Sequence, residues 1–215
     1  MGVLPNLRQP EGSYLCGAYS VVACVKLFGL EERKITLNHF SESDLDFCGD
    51  EVKINTSGDL NLLAKEIYKI TGIYSPFKMD GFIKEGGFNP IFCIAYTLKK
   101  LGLRVELIID DEYTVEHLKD KYKIEYEVLR KLSCEMQSLR DMSTLDDAVL
   151  IPVIHYPLDD IMTSHYIVNY RDQWLDTEFE EHPFFWDNIQ DWKSSDNKRI
   201  GAVWSGVMLR VTKNA

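Results

Sequence analysis

The chain has 215 residues, of which 45% are hydrophobic and 27% are charged, and its formal net charge is -10. A chain of this length and composition can bury a core of its own and folds as one domain, or as one domain of two lobes. The negative charge argues against a nucleic-acid or an anionic-membrane partner, because either would require a basic surface.

Cysteine spacing and hydropathy exclude further classes of protein. No apolar run approaches the ~18 residues of a membrane span, and the first residues lack the pattern of a signal peptide. We therefore expect a cytoplasmic protein, although leaderless secretion would leave no trace in the sequence. The odd number and wide spacing of the cysteines and the absence of a CxxC pair argue against a disulfide framework or a zinc site. The five cysteines are Cys16, Cys24, Cys48, Cys93 and Cys134.

The most informative stretch runs from Gln9 to Gly29. Its first residues, rich in Gly, Pro and Ser, predict a loop. From Cys16 a nearly continuous apolar run predicts a helix of about three to four turns that ends at Gly29. A helix this apolar must be buried on most sides. Cys16 is therefore expected at the start of a buried helix, where a loop enters it.

The middle of the chain alternates polar segments with periodic apolar ones. Residues 30–57 are predicted to form loops with short elements, and a helix follows that starts within Thr56–Asp59 and ends at Gly72. After a predicted loop over 73–88, a second helix is capped by Asn89-Pro90 and ends at Leu101-Gly102. The remaining predicted elements are a strand over 103–109 and a helical segment over 114–138 that is broken near Tyr122.

The last third of the chain predicts strands. The first is a strand over 149–154 with an edge or a bulge at Pro152, and a polar loop over 157–164 follows it. Residues 165–170 and 174–177 are predicted to form a hairpin around residues 171–173. A short helix within 183–192 and a closing strand over 201–211 complete the prediction. Helices followed by an antiparallel sheet indicate an α+β fold. We expect one domain over 1–215, with a helical lobe of about 1–145 and a sheet lobe of about 146–215.

Four residues have the types and the order of a cysteine-nucleophile site. A helix start favours a thiolate at Cys16 by only about 0.3–1 kcal/mol, so a protonated His is needed nearby. His165 begins an apolar strand after the polar loop, and Asp176 lies across the hairpin, where it could orient the imidazole. Gln9 and the backbone N–H of Cys16 could donate to an oxyanion.

These residues also resemble a known family. Gln9, the Cys16-Gly17-Ala18 start of an apolar helix, the late His165-Tyr-Ile-Val and the following Asp176 are similar to the papain-like cysteine peptidase clan, and within it to the free-standing C39-like peptidases. The resemblance covers most of the chain in outline, up to about Thr177, but only the Gln…Cys-Gly and His-Tyr motifs are specific. It implies a papain-like fold in which the Cys helix packs on a C-terminal antiparallel sheet that carries the His.

The resemblance also implies roles. Cys16 would be the nucleophile, His165 the general base and acid, Asp176 the orienting residue and Gln9 the oxyanion donor, with no cofactor. The interval from His165 to Asp176 is shorter than is usual in that family, and no proline follows Asp176.

The residues themselves leave alternatives at these positions. His155 is the rival base, since it ends a predicted strand and, like His165, precedes a tyrosine. Glu178 and Asn169 are alternative orienting residues. Cys48 is followed by glycine as Cys16 is, but the acidic residues after it disfavour it as the nucleophile. The other cysteines are expected in the core: Cys24, Cys93 and Cys134.

Together these features predict a hydrolase or acyltransferase that cleaves a peptide or amide bond through a thioester acyl-enzyme. Peptide hydrolysis, deamidation and transfer to an amine are equally compatible with the residues, because the cleft decides the acceptor. The expected partner is a peptide or protein substrate, or a small amide or thioester, and the oligomeric state is left open. The alternative is a catalytically inactive papain-like module that binds a protein or peptide partner.

Overall fold

Apolar helices and one large mixed sheet form the described part of the chain. The computed structural model describes residues 2–75, 78–79, 87–110, 115–139, 148–158, 161–179, 181–185 and 202–214. Central strands are buried on both faces: Val149 and Ile151 belong to the main core with the helices, whereas Leu150 and Ile154 belong to a second apolar cluster. The α+β class predicted from the sequence is confirmed.

The first helix, α1, spans Cys16–Phe28 and is buried along most of its length. Within this helix only Cys16 and Lys26 are not buried. Gly29 ends the helix with a φ of 64°, in the left-handed region that glycine adopts without steric cost, and its N–H donates to the carbonyl of Lys26. The prediction of a buried helix that begins at Cys16 and ends at Gly29 is confirmed.

Two further helices pack against α1: α2, Leu60–Thr71, and α3, Ile91–Lys100. The α2 helix begins as predicted, because the Asp59 carboxylate accepts from two backbone N–H groups of its first turn. The start of α3 differs from the prediction. Asn89 does not cap this helix with its side chain, which donates instead to the carbonyl oxygen of Tyr14, 2.6 Å away.

The polar segments around α2 contain short strand pairs. Strands β1, Lys34–Asn38, and β2, Glu51–Asn55, are antiparallel, which confirms short elements within 30–57. Strands β3, Tyr74–Ser75, and β4, Lys78–Met79, form a second antiparallel pair inside the segment predicted as a loop. Two-residue strands leave no apolar alternation in the sequence, so the pattern could not indicate them.

The remaining strands form one eight-stranded sheet. They are β5 Leu103–Ile109, β6 Glu135–Ser138, β7 Val149–Leu158, β8 Ile161–Tyr166, β9 Val168–Tyr170, β10 Gln173–Leu175, β11 Phe184–Phe185 and β12 Val203–Lys213. Their order is β11-β10-β9-β7-β12-β5-β6, with β8 also paired to β7. Neighbouring strands are antiparallel except β5 and β6, which are parallel. The sheet is therefore mixed, whereas the expectation was an antiparallel one.

The connection between β5 and β6 corrects the prediction of a helical segment over 114–138. Helices α4, Val115–Lys121, and α5, Lys123–Lys131, confirm the break near Tyr122. Residues 135–138 are a strand, because they pair in parallel with β5. Their local composition favours a helix, and pairing with a distant strand overrides that preference. The sheet thus takes two strands from the part of the chain expected to form the helical lobe.

The β7–β8 hairpin corrects the predicted polar loop over 157–164. Strand β7 extends to Leu158 and β8 starts at Ile161, with pairs from Val153↔Tyr166 to Leu158↔Ile161. His165 therefore lies near the end of a strand and not directly after a loop. The irregularity predicted at Pro152 is present, since this residue pairs with Met208 where the β12 register shifts.

The C-terminal segment agrees in part with the prediction. The closing strand is confirmed as β12, whereas the first residues of the expected helix over 183–192 include β11, and residues 186–192 lie outside the described ranges. None of the helices in those ranges is long and apolar enough to cross a bilayer.

Candidate active site

The start of α1 lies beside the end of β8, and Asn89 connects the two. Gly17 must be small, because a Cβ there would lie 2.7 Å from the Cβ of Asn89. The Asn89 side chain donates to the Tyr14 carbonyl, and the hydroxyl of Tyr166 donates to the Asn89 carbonyl at 2.8 Å. Cys16 is thereby held partly exposed next to His165, the neighbour of Tyr166 in β8.

His165 is buried, with only 3% of its side chain exposed, and it contacts both other members of the predicted triad. Its Nε2 lies 2.9 Å from Oδ1 of Asp176 and donates to that carboxylate, which leaves Nδ1 for the Cys16 thiol. Burial by itself lowers the pKa of His165. The charge and hydrogen bond of Asp176 and the neighbouring Cys16 outweigh burial and raise this pKa to about 9.

Asp176 is 1% exposed and is fixed by the loop that follows it. Its Oδ1 also accepts from the backbone N–H groups of Glu178 and Phe179, at 3.2 and 3.3 Å. The short sequence interval between His165 and Asp176 is long enough for the two side chains to meet, because β9 and β10 are joined by a two-residue turn. Arg171 in this turn has a φ of 59°. That tight hairpin, expected from the sequence, places Asp176 across from the end of β8.

Gln9 is buried and has a different partner at each end of its amide. Its Nε2 donates to the carbonyl of Ser13 at 2.9 Å, and its Oε1 accepts from the hydroxyl of Thr177 at 2.9 Å. A backbone bond from the Gln9 N–H to the Thr177 carbonyl, 2.8 Å long, runs beside these contacts. Gln9 thus joins the loop before Cys16 to the residue after Asp176, and no acceptor among the described residues occupies its second Nε2–H.

The alternative base and orienting residues have other partners. His155 pairs with Ser164 and His165 with Ile154, so the two imidazoles lie on opposite faces of the hairpin. Nδ1 of His155 lies 2.9 Å from the Ser164 hydroxyl, and burial lowers the pKa of His155. Asn169 donates to the carbonyls of Arg171 and Gln173 and so closes the β9–β10 turn.

The other cysteines lie in environments that differ from that of Cys16. Cys48 is exposed, and its pKa is raised by desolvation and by the Asp44 carboxylate, whose Oδ2 lies 3.6 Å from its Sγ. The predicted core positions are confirmed for the remaining three, where burial raises the pKa of each thiol: Cys24, Cys93 and Cys134.

Comparisons with protein families, with curated proteins and with solved structures give no match for this chain. Roles for the site residues are therefore proposed below from their geometry. Within the ranges that the structure describes, no group of three His, Cys, Asp or Glu side chains is placed to hold a metal ion.

Sequence reasoning did not identify three residues that support the site. Thr177 holds Gln9, Asn89 holds the loop before Cys16, and Tyr156 donates to Glu178 at 3.0 Å beside His165. An Asn-Pro pair before an apolar run is typical of a helix cap, so the sequence predicts that role for Asn89 and gives no sign of its contact with Tyr14. Thr177 directly follows the predicted acid, but no local pattern relates it to Gln9.

Proposed function

We propose that this chain is a cysteine-nucleophile hydrolase or acyl-transfer enzyme that acts on a peptide or amide bond. The observation that supports this best is His165, buried, bonded through Nε2 to Asp176, and in contact with a partly exposed Cys16. A nucleophile, a base and a group that orients the base are the three components that such chemistry requires.

The reaction would proceed through a thioester. Nδ1 of His165 accepts the proton of the Cys16 thiol, and Sγ attacks the carbonyl carbon. The oxyanion accepts hydrogen bonds from the second Nε2–H of Gln9 and from the N–H of Cys16. The C–N bond then breaks as Nδ1 returns its proton to the leaving amine, and water or another acceptor releases the acyl group.

The ionisation of His165 fits this cycle. With a pKa of about 9, the imidazole is protonated at neutral pH. An imidazolium beside Cys16 stabilises a thiolate, which is the reactive form of the thiol. Asp176 in turn stabilises the imidazolium that forms when Nδ1 takes the proton of the Cys16 thiol.

The arrangement also supports a papain-like fold as a proposal. A buried helix that starts at the nucleophile packs on the strand that carries the base, and the orienting acid follows on the next hairpin. The substrate would be a peptide or protein, or a small amide or thioester. The alternative is an inactive papain-like module that binds a protein or peptide partner, which the short interval from His165 to Asp176 would fit. The 2.9 Å contact between these two residues supports the catalytic proposal in preference to it.

Alkylation by iodoacetamide tests the proposal without knowledge of the substrate. Cys16 should react fastest of the cysteines, and His165→Gln should slow its alkylation by about tenfold or more at pH 7, since a free thiol is only a few per cent ionised there. Rates for each cysteine are read by mass spectrometry of the digested protein.

Two cysteine variants complete that experiment. Cys16→Ala should abolish the fast phase, whereas the matched variant Cys48→Ala, which removes an exposed thiol, should leave it unchanged. Reaction at Cys48 alone, with Cys16 modified only after unfolding, would show that Cys16 is a structural residue and that the proposed function is wrong.

A further inference from the structure

An exposed aromatic ring, that of Tyr14, lies beside the start of α1. Tyr14 precedes Cys16 by two residues, so the Cα atoms of the two residues lie within about 7 Å of each other. Leu15 between them is 8% exposed, whereas Tyr14 is 44% exposed. The ring of Tyr14 meets the ring of Phe88 edge to face, with centroids 5.2 Å apart. A large apolar surface is therefore presented to solvent next to the proposed nucleophile.

The segment before α3 holds both the backbone and the ring of Tyr14. The Asn89 side chain donates to the Tyr14 carbonyl at 2.6 Å, and Phe88, which contacts the ring, is the residue before Asn89. Asn89 also packs against Gly17, one residue after Cys16. The position of the Tyr14 ring relative to the start of α1 is thus set before any ligand binds, which lowers the entropic cost of binding.

Tyr68 indicates that the side chains of Tyr14 and Cys16 face the same side of the site. The pKa of Tyr68 is raised first by burial, and the nearby Cys16 and Tyr14 groups raise it further. Its hydroxyl donates to the Gly87 carbonyl at 2.8 Å, directly before Phe88. Both side chains therefore lie near one point, on the flank of the site formed by the segment before α3.

We propose that the ring of Tyr14, supported by Phe88, forms an apolar subsite for the acyl part of the substrate, so that this enzyme prefers an aromatic side chain near the reacting carbonyl. The inference rests on the proposed function and specifies its substrate class. The leaving amine receives its proton from Nδ1 of His165 and so lies against β8, which leaves the acyl part for the flank with Tyr14. A ring placed against Tyr14 gains both apolar contact area and an aromatic contact.

The subsite acts when the acyl-enzyme forms. Sγ of Cys16 forms a bond to the carbonyl carbon, and the bond from that carbon to the leaving nitrogen breaks with its electron pair on the nitrogen. Nδ1 of His165 supplies the proton that makes the leaving amine neutral. The acyl side chain remains against Tyr14 until water or another acceptor cleaves the thioester.

Two esters with the same leaving group test the subsite: p-nitrophenyl acetate and p-nitrophenyl 3-phenylpropionate. The rate of the p-nitrophenolate burst gives the acylation rate of Cys16 for each ester, and N-acetylcysteine gives the ratio of their intrinsic reactivities. Relative to that reference, the wild type should favour the phenylpropionyl ester by about three- to tenfold, the range expected for one aromatic contact. Tyr14→Ser should lower the ratio to that of N-acetylcysteine, whereas Tyr14→Phe, which retains the ring, should preserve it.

Tyr122→Ser is the matched control, because it removes a tyrosine of similar exposure, 48%, at the break between α4 and α5. The preference for the phenylpropionyl ester should persist in this variant. Because both esters are measured on the same protein, a general loss of activity cancels in the ratio.

The outcomes separate the two proposals. No burst in the wild type relative to Cys16→Ala would overturn the proposed function itself. A burst with the same ester ratio as N-acetylcysteine would overturn the acyl subsite alone. A preference that persists in Tyr14→Ser would assign it to another group and would also overturn the subsite.

Discussion

At the scale of a residue, the side-chain amide of Gln9 has a fixed partner at each end. A glutamine side chain can present either its oxygen or its nitrogen, and the partners decide which. The Thr177 hydroxyl donates to Oε1 and the Ser13 carbonyl accepts from Nε2, so the amide is held in one orientation. The direction of the second N–H is therefore fixed by these two contacts.

Thr177→Val should therefore weaken oxyanion stabilisation while leaving the thiolate unaffected. We expect slower acylation of Cys16 by p-nitrophenyl acetate, by less than the hundred- to thousandfold that loss of a whole oxyanion donor causes. Alkylation by iodoacetamide, which forms no oxyanion, should keep its rate. Thr177→Ser, which retains the hydroxyl, should restore acylation. Equal losses in both reactions would instead indicate a general structural effect.

At the scale of an element, the start of α1 depends on close packing with the segment before α3. Gly17 and Asn89 leave no space for a Cβ, and the same asparagine holds the Tyr14 carbonyl and accepts from Tyr166. The Cys-Gly pair thus has a steric reason in this chain that does not involve catalysis directly. The glycine allows α1 to approach Asn89 closely.

Gly17→Ala should lower the free energy of unfolding by about 1–3 kcal/mol, as overpacking typically does. Urea titration followed by fluorescence measures the change. Asn89→Gly removes the atom with which the new methyl group clashes, although it also removes the hydrogen bond from the Asn89 side chain to the Tyr14 carbonyl. The double variant should therefore be less destabilised than the sum of the single ones. If the two changes in unfolding free energy simply add, the clash must be relieved by a shift of other residues and not by the removal of the Asn89 side chain.

At the scale of the whole molecule, the residues of the candidate site come from segments near the two ends of the chain. Gln9 and Cys16 come from the first 16 residues and His165 and Asp176 from β8 and the loop after β10. A bond from the Leu7 N–H to the Glu181 carbonyl, beside the Gln9–Thr177 pair, joins these two ends at 2.9 Å. Folding therefore sets the ionisation of His165, since its partner Asp176 is brought to it only in the folded state.

This coupling predicts a pH dependence of stability. The pKa of His165 is about 9 in the folded protein, above the ~6.5 of an unfolded histidine. The protonated imidazole therefore stabilises the fold fully below pH 6.5, and that contribution is lost as the pH rises through 9. Relative to His165→Gln, the wild type should lose about 3 kcal/mol of unfolding free energy across this interval. Urea unfolding at several pH values measures it, and parallel curves for the two proteins would contradict the prediction.

Elements with a strong local signal were predictable. The apolar run of α1 and its terminal glycine, the Asp59 cap of α2 and the alternation of β5 follow from spacing and turn chemistry. The predictions that were wrong concern elements that form only by pairing with distant strands. The β6 strand exists because it pairs with β5, and the β7–β8 hairpin extends through residues whose polar composition is typical of a loop.

The sequence by itself determined the residue types and their order: a cysteine at the start of a buried helix, a late histidine, an aspartate one tight hairpin away and an early glutamine. Only the tertiary structure shows that His165, and not His155, lies beside Asp176, because the strand register places the two histidines on opposite faces. It also decided the partners of Asn89, Thr177 and Glu178. Those contacts join segments far apart in the chain, and a side chain's local sequence does not specify which distant atom it will meet when the core closes.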